Sequence, residues 1–266
     1  MKLVVKVGGK VLEQAALRRR LVRQMVRLSR AGHALVVVHG GGSTLTAMLK
    51  KLGIATRFIS GLRYTDTATR DVALMVLAGL VNKRLVADFM SMGGCAVGLC
   101  GGDAGLVRTR KLRLRSNGRL RDLGWVGRPD RVNSRFLGKL IRDGAVPVVA
   151  SLGLGARGQY YNVNADDLAA ALAVSMKADR LIYVSDTDGV WDRKRRRLPV
   201  IQVKDIGVLV RQKVVTEGMV PKLLSCARTL KRNVSEILIL GAQKPDVLWR
   251  SIVGKEKLGT RIVRKP

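Results

Sequence analysis

Acidic residues are scarce in this chain and aromatic ones scarcer. Nineteen Asp and Glu stand against 50 Lys and Arg, a formal charge of +31 over 266 residues. Phe, Trp and Tyr make up 4% of the chain. The basic stretches carry almost none of them, which argues against the stacking platforms that hold single-stranded nucleic acid. Histidine occurs twice, at His33 and His39, and cysteine three times, at Cys95, Cys100 and Cys226. Neither type has metal-ligand spacing, so no zinc centre is expected, and reduced thiols in a cytoplasm are the simplest reading. No apolar run reaches the length of a membrane span. Met1-Lys2-Leu3-Val4-Val5-Lys6 runs directly into a strand pattern, so no signal peptide is expected. Also missing are a Walker loop, a G-x-G-x-x-G fingerprint, and any helix-turn-helix, zinc-finger or RNA-recognition signature.

What is abundant is positive charge and short apolar runs. The basic residues cluster at Arg18-Arg19-Arg20, from Arg108 through Arg121, and at Arg193-Lys194-Arg195-Arg196-Arg197. Such a field attracts nucleic acid, acidic proteins and anionic metabolites alike, and binding of that kind is non-specific and salt-sensitive. The hydrophobic content of 47% is enough for a sizeable core in one or two domains.

Strand and helix patterns alternate throughout. Strands are predicted at 2–7, 34–38, 95–100, 146–150, 181–185, 236–240 and 259–263. Helices are predicted at about 13–31, 43–52, 67–92, 133–143, 165–176, 204–212, 219–231 and 245–253, with 57–60 extended. Basic and apolar residues alternate over 106–127 around Asn117-Gly118, a hairpin pair. The alternation predicts an α/β fold, an open and mainly parallel sheet with helices on both faces. Two lobes, 1–176 and 177–266, would share that sheet.

Two glycine turns carry the strongest chemical signal. Leu3-Val4-Val5-Lys6-Val7 ends in Gly8-Gly9, and Leu35-Val36-Val37-Val38-His39 ends in Gly40-Gly41-Gly42. Glycine after a buried strand, where a helix begins, lets a phosphate approach backbone N–H groups and the positive end of a helix dipole. Lys6 adds a full charge at the first turn. Arg63, within Ser60-Gly61-Leu62-Arg63-Tyr64-Thr65-Asp66, suits bidentate capture of a carboxylate. Asn162 and Asn164 share one face of an extended segment, with Asn164 or Asp166 as possible caps of the helix that follows. Asp186, Thr187, Asp188, Gly189, Val190 and Trp191 follow a Val-rich strand, where a nucleotide edge or an ordinary Asx turn would fit. Lys222 falls in the first turn of a helix, where a cation opposes the dipole.

The order K-V-G-G, H-G-G-G, G-L-R-Y-T-D, V-N-K, A-V-G-L, N-V-N-A-D, S-D-T-D-G-V, E-G-M-V-P-K and a terminal G-T resembles the amino acid kinase superfamily, and within it the N-acetylglutamate kinases. The resemblance spans Lys6 to Thr260. It implies a three-layer αβα sandwich, ATP with Mg2+ carried on it, and phosphorylation of the side-chain carboxylate of N-acetyl-L-glutamate in arginine biosynthesis. It further implies Lys6 and Lys222 flanking the transferred group, with Asp166 between them. Gly8, Gly9, Gly41 and Gly42 would hold phosphate. Gly41, Gly42, Arg63, Asn162 and Asn164 would hold the acceptor, and the turn from Asp186 to Trp191 with Val214, Val215 and Thr216 the nucleotide. A homodimer through helix 67–92 is the implied assembly. Arginine-inhibited, hexameric members carry an extra helix before the first strand, so neither property is expected. The chain departs from the family at Cys100-Gly101-Gly102-Asp103-Ala104-Gly105, where many members carry a lysine, and at Glu217, where glycine is common. The charge of +31 also fits poorly. It leaves open a kinase acting on a carboxylate attached to an acidic carrier protein, and a non-catalytic polyanion- or RNA-binding regulator on the same fold.

Overall fold

The computed structural model describes residues 1–116, 119–215 and 219–264. Strand β1 (Lys2–Val7) leads through α1 (Gly9–Glu13) and α2 (Ala15–Arg30) to β2 (Ala34–His39) and α3 (Gly42–Lys51). A short hairpin, β3 (Phe58–Ile59) and β4 (Leu62–Arg63), precedes a long helical run. That run is α4 (Thr67–Ala73), a π-helical stretch over Leu74–Val81, and α5 (Asn82–Ser91). Next come β5 (Ala96–Leu99), the long ribbon β6 (Val107–Ser116) and β7 (Arg119–Val132), α6 (Ser134–Arg142) and β8 (Val146–Ala150). β9 (Leu152–Leu154) and β10 (Tyr160–Val163) form a hairpin ahead of α7 (Ala165–Met176) and β11 (Arg180–Ser185). The remainder is β12 (Val190–Trp191), β13 (Arg197–Leu198), β14 (Val200–Gln202), α8 (Ile206–Arg211), α9 (Val220–Leu230), β15 (Glu236–Gly241), α10 (Val247–Ile252) and β16 (Thr260–Val263).

Eight strands form one sheet in the order β14-β16-β15-β11-β1-β2-β8-β5. All neighbours are parallel except β15 and β16. The sheet is covered on both faces, which is why its strands read as unbroken apolar runs. Side chains still alternate. Leu3, Val5 and Val7 join one core with α2 and the π-helical stretch, while Val4 joins the other with α7 and α9. The same split divides Val37 from Val36 and Val38, and Ile182 and Val184 from Leu181 and Tyr183. By that parity Lys6 belongs to the face covered by α7 and α9.

The structure departs from the sequence expectations in three places. The helix expected at 13–31 breaks at Gln14, whose backbone is extended, giving a separate first turn over Gly9–Glu13. The helix expected at 67–92 is continuous but widens to i→i+5 hydrogen bonding over Leu74–Val81, the kind of local bulge that accompanies functional sites. The basic stretch is not a free hairpin. β6 and β7 close into a small barrel with β9 and β10. Asn117-Gly118, the expected turn, lies outside the described residues.

Candidate active site

Lys6 stands near the carboxyl end of β1, directly opposite Tyr183 of β11. Its ammonium lies 2.9 Å from Asp166 Oδ1. Lys222, in the first turn of α9, donates to Asp166 Oδ2 at 2.5 Å and sits 4.5 Å above the Tyr183 ring. Asp166 therefore bridges two cations, one from the sheet and one from a helix. Burial alone would raise its pKa, but the two ammonium groups outweigh that and hold it below the ordinary carboxylate range. Asp166 keeps its place because Asn164 caps α7, accepting from the backbone N–H groups of Asp166 and Asp167 at 2.8 and 3.2 Å. The capping reading of Asn164 thus holds, and its carboxamide oxygen is committed to the helix.

In front of this triad a cavity of about 280 Å³ is lined by Lys6, Gly41, Arg63, Asn162, Ser151 and Asp166, among others. The ends of β1, β2 and β8 open on it, the edge where ligands bind in open α/β sheets. Gly9 begins α1 and Gly42 begins α3, so N-terminal N–H groups of both helices face this region. Gly41 has φ +155°, and a Cβ there would lie 2.9 Å from Leu77 Cδ2, so the turn can be this tight only with glycine. Gly8 behaves otherwise. Its N–H donates to the Val184 carbonyl at 2.8 Å, so the end of β11, not a ligand, is its partner.

Arg63 reaches the cavity from β4. Its guanidinium donates to the Gly42 carbonyl at 3.0 Å and to Thr46 Oγ1 at 2.7 Å, and stacks 4.8 Å from the Phe58 ring centroid. Asn162 donates to Thr65 Oγ1 at 3.2 Å, and Thr65 is fully buried and stitched to β7 through its backbone. Sequence reasoning missed Thr65 as the brace between the Arg63 and Asn162 segments.

It also missed a buried relay beneath Gly40-Gly41-Gly42. Asn82 donates to the Val148 carbonyl at 2.8 Å and to His39 Nε2 at 2.9 Å. His39 Nδ1 then donates to the Gly40 carbonyl at 2.8 Å, the only direction open, since a carbonyl can only accept. V-N-K and the histidine of H-G-G-G were the available signals. Gly98 leaves room for the Asn82 side chain, which a Cβ there would strike. Burial lowers the His39 pKa to about 4, so the ring is neutral. A histidine with a folded pKa below its unfolded value contributes stability above the unfolded pKa, lost as pH falls. Stability should therefore drop between about pH 6.5 and pH 4, by about 3 kcal/mol at pH 4. Urea midpoints measured across that range should flatten in His39→Gln, leaving a smaller slope from His33, whose pKa is lowered in the same direction.

On the other side of the triad, Asp186 pairs with Lys10 at 3.0 Å. Ser185 donates to the Thr187 carbonyl at 3.1 Å, which closes the turn. Asp188 is held by Lys244 at 2.6 Å and Arg197 at 3.5 Å. Val190 N–H and the Leu198 carbonyl are joined through Thr260 Oγ1, which accounts for the terminal G-T motif. Trp191 is exposed. Val214 is half-buried, whereas Val215 packs into the core of the α7–α9 face. Thr216 and Glu217 lie outside the described residues. Among the described residues no group of three or more His, Cys, Asp and Glu is placed to hold a metal ion.

The amino acid kinase family profile matches residues 1–241. An acetylglutamate kinase of Koribacter versatilis is 43% identical over 263 residues, covering 99% of each chain. One of Acidobacterium capsulatum is 44% identical over 248 residues, covering 93% of this chain and 94% of that one. Among solved structures, smu.665 of Streptococcus mutans UA159 superposes with a TM-score of 0.82 at 28% identity over 99% of both chains. N-acetylglutamate synthase of Neisseria gonorrhoeae, complexed with coenzyme A and N-acetyl-glutamate, gives 0.87 at 22% identity. It matches all of this chain and 60% of that one, a likeness of fold alone.

Proposed function

This chain belongs to the amino acid kinase family, and we propose that it phosphorylates the side-chain carboxylate of N-acetyl-L-glutamate with ATP, in arginine biosynthesis. The observation that carries this reading is Asp166 gripping both Lys6 and Lys222 beside a cavity that holds Arg63 and Asn162. The full-length acetylglutamate kinase relatives supply the acceptor.

The acceptor carboxylate is already ionised at pH 7, so no general base is needed. A carboxylate oxygen attacks the γ-phosphorus, the bond from that phosphorus to the bridging oxygen of ADP breaks, and the products are an acyl phosphate and ADP. The obstacle is one anion approaching another. Lys6 neutralises the acceptor side and the γ-phosphoryl oxygens, Lys222 neutralises the leaving side, and Asp166 keeps the two ammonium groups apart and aimed. The N–H groups at Gly9, Gly41 and Gly42 receive phosphoryl oxygens. Mg2+ would arrive on the nucleotide phosphates and offset their charge.

Arg63 receives the α-carboxylate and Asn162 the acetamido group. The lobe 1–176 thus serves the acceptor, and 177–266 the nucleotide, along Asp186 to Trp191. Arg63→Ala should raise the acceptor KM by about 10- to 100-fold with the ATP KM little changed, and Lys should not restore it, because an ammonium cannot pair bidentately. A rise in the ATP KM instead would misplace the residue. Exposed Met75 and Met90 on the helical run 67–91 support a dimer through it. The free cysteines suit a cytoplasmic setting.

The reading is tested by turnover with Mg-ATP, trapping acyl phosphate as a hydroxamate. N-acetyl-L-glutamate should turn over at least a hundred times faster than glutamate or N-acetyl-aminoadipate. Failure of all three in folded, ATP-binding protein would overturn it in favour of a carrier-bound substrate.

A further inference from the structure

The kinase reaction uses little of the positive charge. A second cavity, of about 740 Å³, lies on the outer side of α7 and α9, where the foot of the β6–β7 ribbon meets them. Arg128 and Arg131 of β7 and Arg228, Lys231 and Arg232 at the end of α9 line it. Among the described residues none of these five has a carboxylate within 4 Å. Two carboxylates share the cavity. Asp130 is engaged by Arg110 at 2.9 Å, and Asp167 stands beside Arg228. With both acids ionised, the five cations leave the lining at +3.

A second observation comes from the register of the ribbon. Arg108 lies directly opposite Arg131, and Arg110 directly opposite Arg128. Like charges at paired positions destabilise a ladder. Each pair places one member, Arg131 or Arg128, in this cavity. Asp130 meets the charge of Arg110, and a bound anion would relieve that of the others. The floor is apolar, with Leu112, Val132 and Val174, and the wall carries the hydroxyls of Ser225 and Thr229.

We propose that this cavity binds a phosphate-bearing anion of nucleotide size, separate from the catalytic centre. Guanidinium groups pair bidentately with phosphate, and several converging ones need more than the single charge of a simple carboxylate. The apolar floor suits a ligand with a flat, uncharged portion. Lys6 and Arg63 line the other cavity, and neither they nor Lys222 nor the turn from Asp186 to Trp191 lines this one, so a ligand here leaves the acceptor and nucleotide sites open.

The test is calorimetric titration of the full chain at about 0.15 M salt, with inorganic tripolyphosphate and with ADP as probes. Wild type should take up two equivalents of each probe. Arg131→Ser with Arg228→Ser should take up one, or bind the second at least tenfold more weakly, with turnover in the absence of probe unchanged. A control removes the same charge elsewhere, through the exposed Arg19→Ser and Arg23→Ser on α2, and should keep both equivalents. Tighter second-site binding of ADP would identify a nucleotide-like ligand, and tighter binding of tripolyphosphate an inorganic or highly phosphorylated one. A single equivalent in wild type overturns the proposal. So does equal loss in the control, which would reduce the effect to diffuse surface charge. The count of sites does not depend on which carboxylate the enzyme phosphorylates.

Discussion

Asp166→Asn is expected to lower kcat by about a thousandfold and to destabilise the protein by about 2 kcal/mol at pH 7. The carboxylate lies 2.9 Å from one ammonium and 2.5 Å from another. An amide of the same shape keeps the volume but leaves Lys6 and Lys222 facing each other across a largely enclosed site, and their repulsion spreads them away from the positions proposed to straddle the transferred phosphoryl group. The pH dependence gives an independent check. The folded pKa of Asp166 is depressed, so its contribution is present above the unfolded pKa of about 3.9 and is lost as pH falls through the lower folded value. Denaturation curves of wild type and variant should differ at pH 7 and converge at the acid end. Curves that stay apart in acid would mean that packing, not charge, explains the deficit. Unchanged turnover would remove Asp166 from the mechanism.

Lys222→Met should behave differently. It too should lower kcat by about a hundred- to a thousandfold, the scale of losing one preorganised charge at a developing anion. Stability should change little or rise. A cation in the first turn of α9 opposes the helix dipole, Asp166 retains Lys6 as a partner, and the methionine stem still covers the Tyr183 ring. The contrast in stability, a loss for one and little change or a gain for the other, with losses of similar kind in kcat, would separate the organising carboxylate from the acting cation. Melting temperatures beside single-turnover rates would show the contrast. A Lys222→Met protein that turns over normally would shift the leaving-group role to another residue.

The glycine turns were legible because strand periodicity and glycine at a strand end are local signals. The side of the sheet on which Lys6 works was not, because β1 reads as an unbroken apolar run and only the packing on its two faces tells them apart. Lys222 stood out by its misfit with the helix dipole. Asp166 did not declare itself in the same way. Asn164, Asp166 and Asp167 offer three acidic or amide groups within four positions, and a helix start can use any of them as a cap. Only the packing of α7 against α9 shows Asn164 serving the backbone and Asp166 serving the lysines, across 56 residues of sequence. Gly8 reads the same as Gly9 in sequence, yet its N–H is consumed by β11.

The ends of this division are set by range. By itself the sequence determined the layered α/β class, the two glycine turns at strand ends and the lysine beside the first, since each rests on spacings of a few residues and on backbone sterics. The tertiary structure alone decided the neutral state of His39, the Asn82 relay under Gly40, the partners of Asp188 and the gathering of unpaired arginines between the ribbon and α9. Those depend on which distant groups come to lie within hydrogen-bonding or Coulombic reach, and on how far water is excluded from them, neither of which is written in local periodicity.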